Sequence, residues 1–323
     1  MKVLITGADG YIGRSLARRL ADPSARLRGQ PITALTLCDL QLPEARTLSE
    51  RMPQLRTMEG SIADAAVIDA IALNDPDIVF HLASVPSGQS EKDYGLGIDV
   101  NLLATVSLLN ALRRNGNGPV VVFASSIAVF GAPLPERIDD DTPLSPSLSY
   151  GAQKQMAEIL LADATRRGFV QGRSLRLPGI VARPPTPTGA LSAFSSELMR
   201  ALVQRQRYCC PVSPDATLWL LSLEACIDNL IHAAQCAPES LCGHTTWNLP
   251  ALRLSIRDLV SALDDLDPGC AALVTYAPDS ALEAQFGRLP PLHTARADAA
   301  GFRHDGTVAR LVRRAAASIG TRS

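Results

Sequence analysis

The chain has 323 residues, 46% hydrophobic and 20% charged, which suits one large domain or two modest ones and excludes a disordered chain. A count of 31 basic against 32 acidic residues leaves a net charge of −1, which gives no reason to expect nucleic acid or an anionic membrane as a partner. No apolar run approaches the roughly 20 residues that cross a bilayer, and Gly7 and Gly10 cut short the apolar Val3-Leu4-Ile5 start, so neither a span nor a signal peptide is expected.

The seven cysteines are scattered and odd in number, with Cys209 and Cys210 adjacent and no CxxC pair. That usage points to reduced thiols in a cytoplasmic protein, with no metal site and no disulfide frame.

In chain order, an apolar β-branched strand is predicted at 3–6, then a helix at 11–21 with Ile12, Leu16 and Leu20 on one face. Strands follow at 32–38 and 55–58, a helix at 65–73, and a fourth strand at 77–82. A long helix at 99–114 precedes a nearly all-apolar strand at 120–124, as expected for a strand buried on both faces. A second long helix at 149–167 and a sixth strand at 173–177 complete the alternation. Strand and helix in turn predict an α/β fold with a doubly wound parallel sheet.

Beyond Pro178 the pattern changes. Arg183-Pro184-Pro185-Thr186-Pro187-Thr188-Gly189 reads as an ordered loop. Helices are expected at 192–204, 223–235, 255–266 and 307–319, with extended pieces at 218–221 and 245–249. This divides the chain into a dinucleotide-binding domain at 1–177 and a smaller mixed α/β, substrate-binding part at 178–323, which can return elements to the first.

The first strand runs into Gly7-Ala8-Asp9-Gly10-Tyr11-Ile12-Gly13, a GxxGxxG loop opening a helix. Gly7 permits the turn, Gly10 lets the backbone approach a pyrophosphate, and Gly13 lets helix and strand pack closely. The free N–H groups of the helix start then face the phosphates. This is the Rossmann arrangement, with Tyr11 and Ile12 beside the cofactor. The second strand ends at Asp39, whose carboxylate can accept from the adenosine ribose and repel a 2′-phosphate. With no arginine immediately after it, NAD is expected rather than NADP; the alternative is that Asp39 caps a turn.

Tyr150 and Lys154 stand four residues apart, on one face of a helix. A free tyrosine has a pKa of about 10, and a neighbouring ammonium favours its phenolate, so Tyr150 can serve as a general base. YxxxK alone is common on surface helices. Here Ser125-Ser126 also end the fifth strand, at the sheet edge where ligands of open α/β folds bind, and Ser126 can hydrogen-bond a reacting oxygen.

The glycine loop, the strand-end aspartate, Ser126 five residues before Gly131 and YxxxK together resemble the extended short-chain dehydrogenase/reductase family over about the first 180 residues. The resemblance implies Ser126, Tyr150 and Lys154 as the catalytic trio. It implies a cofactor lining of Leu82, Ala83 and Ser84, with Asn101, Pro178, Ile180 and Ile62, while His81 reads as structural. Ser61 stands where the family often has an acidic adenine contact, which puts that contact in question.

Further segments, among them His81 to Gln89, Phe130 to Glu136 and Leu218 to Ser222, resemble a sugar-acid dehydrogenase branch. That likeness implies oxidation of the C2 hydroxyl of a small sugar acid, D-erythronate to 2-oxo-tetronate. Ser87, Gln89 and Ser126 can supply neutral donors, Arg183 can pair with the carboxylate, and Trp219 can wall the pocket. Arg183 reads equally as a surface arginine, and Trp219 reads more readily as a core residue. A homodimer is expected, because helices 99–114 and 149–167 occupy the places where the family often builds a two-fold bundle. Two alternatives stay open, a nucleotide-sugar epimerase or dehydratase and a non-catalytic NAD-sensing regulator. The segment 177–183 lacks the Asn-x-Tyr-Gly-Pro pattern common in the epimerases.

Overall fold

The computed structural model describes residues 1–52, 54–184 and 193–320. The chain forms two compact units, one of Met1–Val129, Pro146–Arg176 and Ile227–Trp247, the other of Phe130–Ser145, Leu177–Cys226 and Asn248–Ser323.

The first unit is built on seven strands: β1 (Lys2–Thr6), β2 (Ala34–Asp39), β3 (Leu55–Glu59), β4 (Ile78–His81), β5 (Val120–Ser126), β6 (Gln171–Leu177) and β7 (Thr246–Asn248). Their order is β7-β6-β5-β4-β1-β2-β3, with parallel pairing of β1 to β2 and β4, β2 to β3, and β4 to β5. The order reverses beside β1, which is the switch point where open α/β sheets bind ligands. Leu4, Val79, Val121 and Phe123 turn to one face, packing with Ile68, Ala104, Leu108, Leu112, Ala157 and Leu161. Val3 and Ile5, one residue off in the period-two alternation, are buried on the other face.

Helix α1 (Tyr11–Leu20) buries Gly13, Leu16, Ala17 and Leu20. Helix α2 (Ala65–Asn74) follows β3. The predicted 99–114 helix is longer: 94–115 is one helical stretch, with a π-helical turn at Ile98–Leu103 between Tyr94–Gly97 and Ala104–Asn115. We label the last part α3. By length and composition the 22 residues Tyr94–Asn115 are apolar enough to cross a membrane, which the sequence reading did not anticipate. Burial of Ala104, Leu108, Leu109, Ala111 and Leu112 in the first unit accounts for that composition. Gly116, at φ 75°, ends α3 in the left-handed conformation that suits glycine. Helix α4 (Ser149–Arg166) completes this side.

The second unit holds a three-stranded sheet, with Thr217–Ser222 pairing parallel to Gly179–Val181 and antiparallel to Leu252–Ser255. Helices Phe194–Val203, Ile256–Leu266 and Val308–Gly320 supply its core, including Leu198, Leu202, Leu259, Leu263, Leu311 and Val312. Ser255 and Asp258 form a reciprocal capping box at the start of Ile256–Leu266. The C-terminal part is therefore mixed α/β. The proline loop from 185 to 189 lies outside the described residues. All seven cysteines are free thiols.

Candidate active site

Gly7 has φ +69°, and a Cβ there would lie 2.5 Å from the Ala83 nitrogen. At Gly13 a Cβ would lie 2.0 Å from the Gly7 carbonyl oxygen. The loop is thus closed against the backbone after β4 on one side and against α1 on the other, and only glycine fits at both positions. Gly10 caps α1 with no side-chain hydrogen bond, and no acidic residue occupies the first turn of α1, where half-buried Tyr11 and Ile12 follow. This helix start suits an anionic diphosphate.

Asp39, at the end of β2, accepts from the Asp9 N–H at 2.8 Å and the Leu40 N–H at 2.7 Å. Its carboxylate is therefore anchored to the glycine loop. Arg14 clasps Asp9 through two hydrogen bonds of 2.8 Å. Ser61 accepts from the Ala63 N–H at 3.2 Å, and Ile62 is buried. The glycine cradle, the uncapped helix and the strand-end carboxylate fit an adenine dinucleotide.

Ser126 ends β5, and its Oγ accepts from the Ala128 N–H at 3.1 Å, leaving its O–H to donate. Tyr150 and Lys154 lie on the first turns of α4. The helix approaches the 3₁₀ turn Ile127–Phe130 through Gly151, where a Cβ would lie 2.3 Å from the Ala128 carbonyl oxygen. Lys154 is 1% exposed. Its Nζ donates to the Ala124 carbonyl at 2.8 Å and stands 4.7 Å from the Phe123 ring centre and 5.6 Å from that of Tyr150. Burial brings its pKa down from 10.5 to about 7, against the opposing pull of the Glu158 carboxylate.

Beneath the pair lies a buried network that the sequence reading missed. Glu158 accepts from Arg176 at 2.7, 3.0 and 3.2 Å and from the Ser125 hydroxyl. The glutamate and arginine side chains are only 5% and 12% exposed. Glu158 follows Lys154 by four residues on one helix face, which was the available signal. His81 is fully enclosed, bonded to Thr6 Oγ1 at 2.7 Å and Thr105 Oγ1 at 3.0 Å. Burial, then the Lys154 charge, bring its pKa down to about 3, so it stays neutral and structural.

Leu82, Ala83 and half-buried Ser84 follow β4, and Ser84 donates to Asn101 at 3.0 Å. Asn101 itself is buried in the π-helical turn. Its oxygen accepts from the Val85 N–H at 2.7 Å, and its nitrogen donates to Val85 O, Ser90 Oγ and Gln153 Oε1 at 3.1, 3.2 and 2.7 Å. Expected beside the cofactor, it braces the segment after β4 against α4, where Gln153 directly precedes Lys154.

Ser87 and Gln89 sit half-buried on the first turn of Ser87–Lys92. In the second unit, Pro178 precedes the strand carrying buried Ile180. The Arg183 N–H donates to Ser196 at 3.0 Å. Trp219 is 1% exposed and its indole N–H donates to the Pro290 carbonyl at 2.7 Å. That burial carries the core role and corrects the expectation of a pocket wall. Among the described residues, no group of three or more histidines, cysteines or acids gathers to hold a metal.

The model of the NAD dependent epimerase/dehydratase family matches residues 3–217. The chain belongs to this family. NAD is this family's cofactor and the doubly wound sheet its frame; with D-erythronate dehydrogenases among its relatives, the chain is an NAD-dependent dehydrogenase. Relatives of the family include D-erythronate dehydrogenase of Cupriavidus necator, 40% identical over 318 residues and 97% of each chain. Another is D-erythronate dehydrogenase of Haemophilus influenzae, 37% identical over 263 residues and 81% of each chain. Among solved structures, a nucleoside-diphosphate-sugar epimerase of Agrobacterium tumefaciens has a TM-score of 0.89 at 32% identity, covering 97% of this chain and 92% of its own. A GalE-like L-threonine dehydrogenase of Cupriavidus necator shares the fold, with a TM-score of 0.84 at 23% identity, covering 99% of this chain and all of its own.

Proposed function

We propose that this dehydrogenase oxidises the C2 hydroxyl of a small sugar acid, D-erythronate to 2-oxo-tetronate. The observation that carries the substrate is the 40% identity to a D-erythronate dehydrogenase over 97% of both chains. Gly7, Gly10, Gly13 and Asp39 hold the cofactor, with Leu82, Ala83, Ser84, Pro178 and Ile180 along its length. NAD, when bound, accepts the hydride released from C2. Tyr150 takes the proton of the C2 hydroxyl. Ser126, already accepting from Ala128, donates its O–H to the same oxygen. Lys154 lies against the Tyr150 ring, so in its protonated form, held up to about pH 7, its charge favours the phenolate. We assign the carboxylate to Arg183 and the remaining hydroxyls to Ser87 and Gln89, with residues from 178 onward as the main substrate-determining part.

Tyr150→Phe should lower turnover by about 10²–10⁴-fold, the usual size of a general-base contribution, while NAD affinity stays near wild type. Near-normal turnover in this variant would overturn the assignment. NADH formation should be measured over four-carbon and larger aldonic acids, with both C2 epimers. The likeness to a nucleoside-diphosphate-sugar epimerase favours a second reading. Conversion of a nucleotide-sugar without net NADH would support it in place of the first.

We further propose a homodimer and a cytoplasmic setting. Leu103, Met156, Ile159 and Leu160 leave 49%, 39%, 62% and 37% of their surfaces exposed on the two long helical stretches, an apolar face suited to a second copy. Free thiols suit a reducing compartment.

A further inference from the structure

At the opposite end of β5 from Ser126, the first unit has a recess of about 530 Å³. Its lining includes Gly118, just before β5, Gln171 and Arg173 on β6, and Thr245, just before β7, with apolar Val170 and Leu241. The volume falls in the roughly 300–1,000 Å³ range of small-molecule sites.

Arg173 is the unusual member. It is 1% exposed, yet its bonds among the described residues go to main-chain carbonyls and none to a carboxylate. Two of its groups donate to the main-chain carbonyls of Gln171 at 2.7 Å and Cys236 at 3.1 Å, while its Nε–H has no partner. No acidic side chain lines the recess. A second cation stands close by: Arg28 reaches Gln171 Oε1 at 3.4 Å and the Ala234 carbonyl at 3.1 Å. Arginines are almost never fully buried unless paired, because an uncompensated buried charge is strongly unfavourable. Burial, and then repulsion from the neighbouring Arg28 guanidinium, brings the Arg173 pKa down only to about 10, so the charge persists at neutral pH.

We infer that this recess binds a small organic anion, whose carboxylate or phosphate group pairs with Arg173. The ligand supplies the counter-charge that the chain itself lacks here. Its neutral body lies along Val170 and Leu241. Carboxylate and phosphate share the planar or fork-like acceptor geometry that guanidinium reads, so both heads belong in the test.

The test is thermal unfolding of the full chain with NAD at saturation, which keeps phosphate from the dinucleotide site. Inorganic phosphate and acetate are titrated separately against chloride at constant ionic strength. A saturable rise in the midpoint with one probe names the head group. In Arg173→Met the apparent dissociation constant should weaken by at least about tenfold, with NADH formation unchanged as the check on folding. Should that variant fail to fold, Gln171→Glu serves, since its carboxylate would sit beside Arg28 and Arg173 and remove the response. No saturable rise with either probe, or a wild-type response in the variant that folds, overturns the proposal.

Discussion

Lys154→Met separates the stability of the site from its chemistry. Burial holds the Lys154 pKa at about 7 in the folded chain, against an ordinary 10.5. Between those values the unfolded chain binds a proton that the folded chain does not, so folding stability rises with pH through this window. Below pH 7 both states are protonated, and the folded state carries the full burden of the buried charge, on the order of 5 kcal/mol at about 1.4 kcal/mol per unit. The methionine variant escapes that burden. It loses the bond to the Ala124 carbonyl, about 1 kcal/mol, and the cation–π contact with Phe123 at 4.7 Å, about 1 kcal/mol. Near pH 6 the variant should therefore be more stable than wild type by about 3 kcal/mol, in line with buried charges replaced by apolar groups. Its advantage should shrink by about 1.4 kcal/mol for each pH unit above 7. His81 is held low chiefly by burial, which the variant keeps, so it stays neutral across this range. Urea midpoints without added NAD, taken from about pH 6 to about pH 9, read the difference directly. A difference that is flat across that range, or a variant less stable than wild type near pH 6, would refute the reasoning.

Gly13→Ala places a methyl 2.0 Å from the Gly7 carbonyl, so the loop must move, with NAD affinity falling at least about tenfold by fluorescence titration. Glu158→Gln leaves the Arg176 guanidinium buried without its carboxylate, which should lower unfolding free energy by about 3–5 kcal/mol in urea, with Arg176→Met in the same chain recovering most of it. Ile159→Glu charges the exposed apolar face and should give a monomer by light scattering.

The cofactor half of the molecule was legible because its signals are local. A glycine loop between strand and helix, an acid at a strand end and YxxxK on one helix face each fit within a few residues. What escaped depends on contacts distant in sequence. Arg176 and Ser125 are met by Glu158 across 18 and 33 residues, and nothing in their own neighbourhoods marks them as partners. Asn101 carried the motif's position, but its role follows from Val85, Ser90 and Gln153, which only the fold gathers. The small hairpin Arg26–Leu27 with Gln30–Pro31 was also missed. It turns through Arg28 and Gly29, both at positive φ, and a lone arginine there does not announce a turn. The helix at Tyr94–Asn115 was read too short because its π-helical turn shifts the apolar period.

The approach of α4 to the turn after β5 at Gly151 has a consequence for how the site keeps its tolerances. Tyr150 precedes Gly151 in the chain, and Ala128, whose oxygen Gly151 touches, holds Ser126 through its N–H. The gap between base and hydroxyl donor is therefore gauged by an absent carbon atom rather than by either reacting side chain. A single methyl at that spacer would push both jaws apart together, with every catalytic group still present. Since a displacement of about 1 Å can slow a reaction about 10²-fold, an intact roster of side chains is no guarantee of a working site.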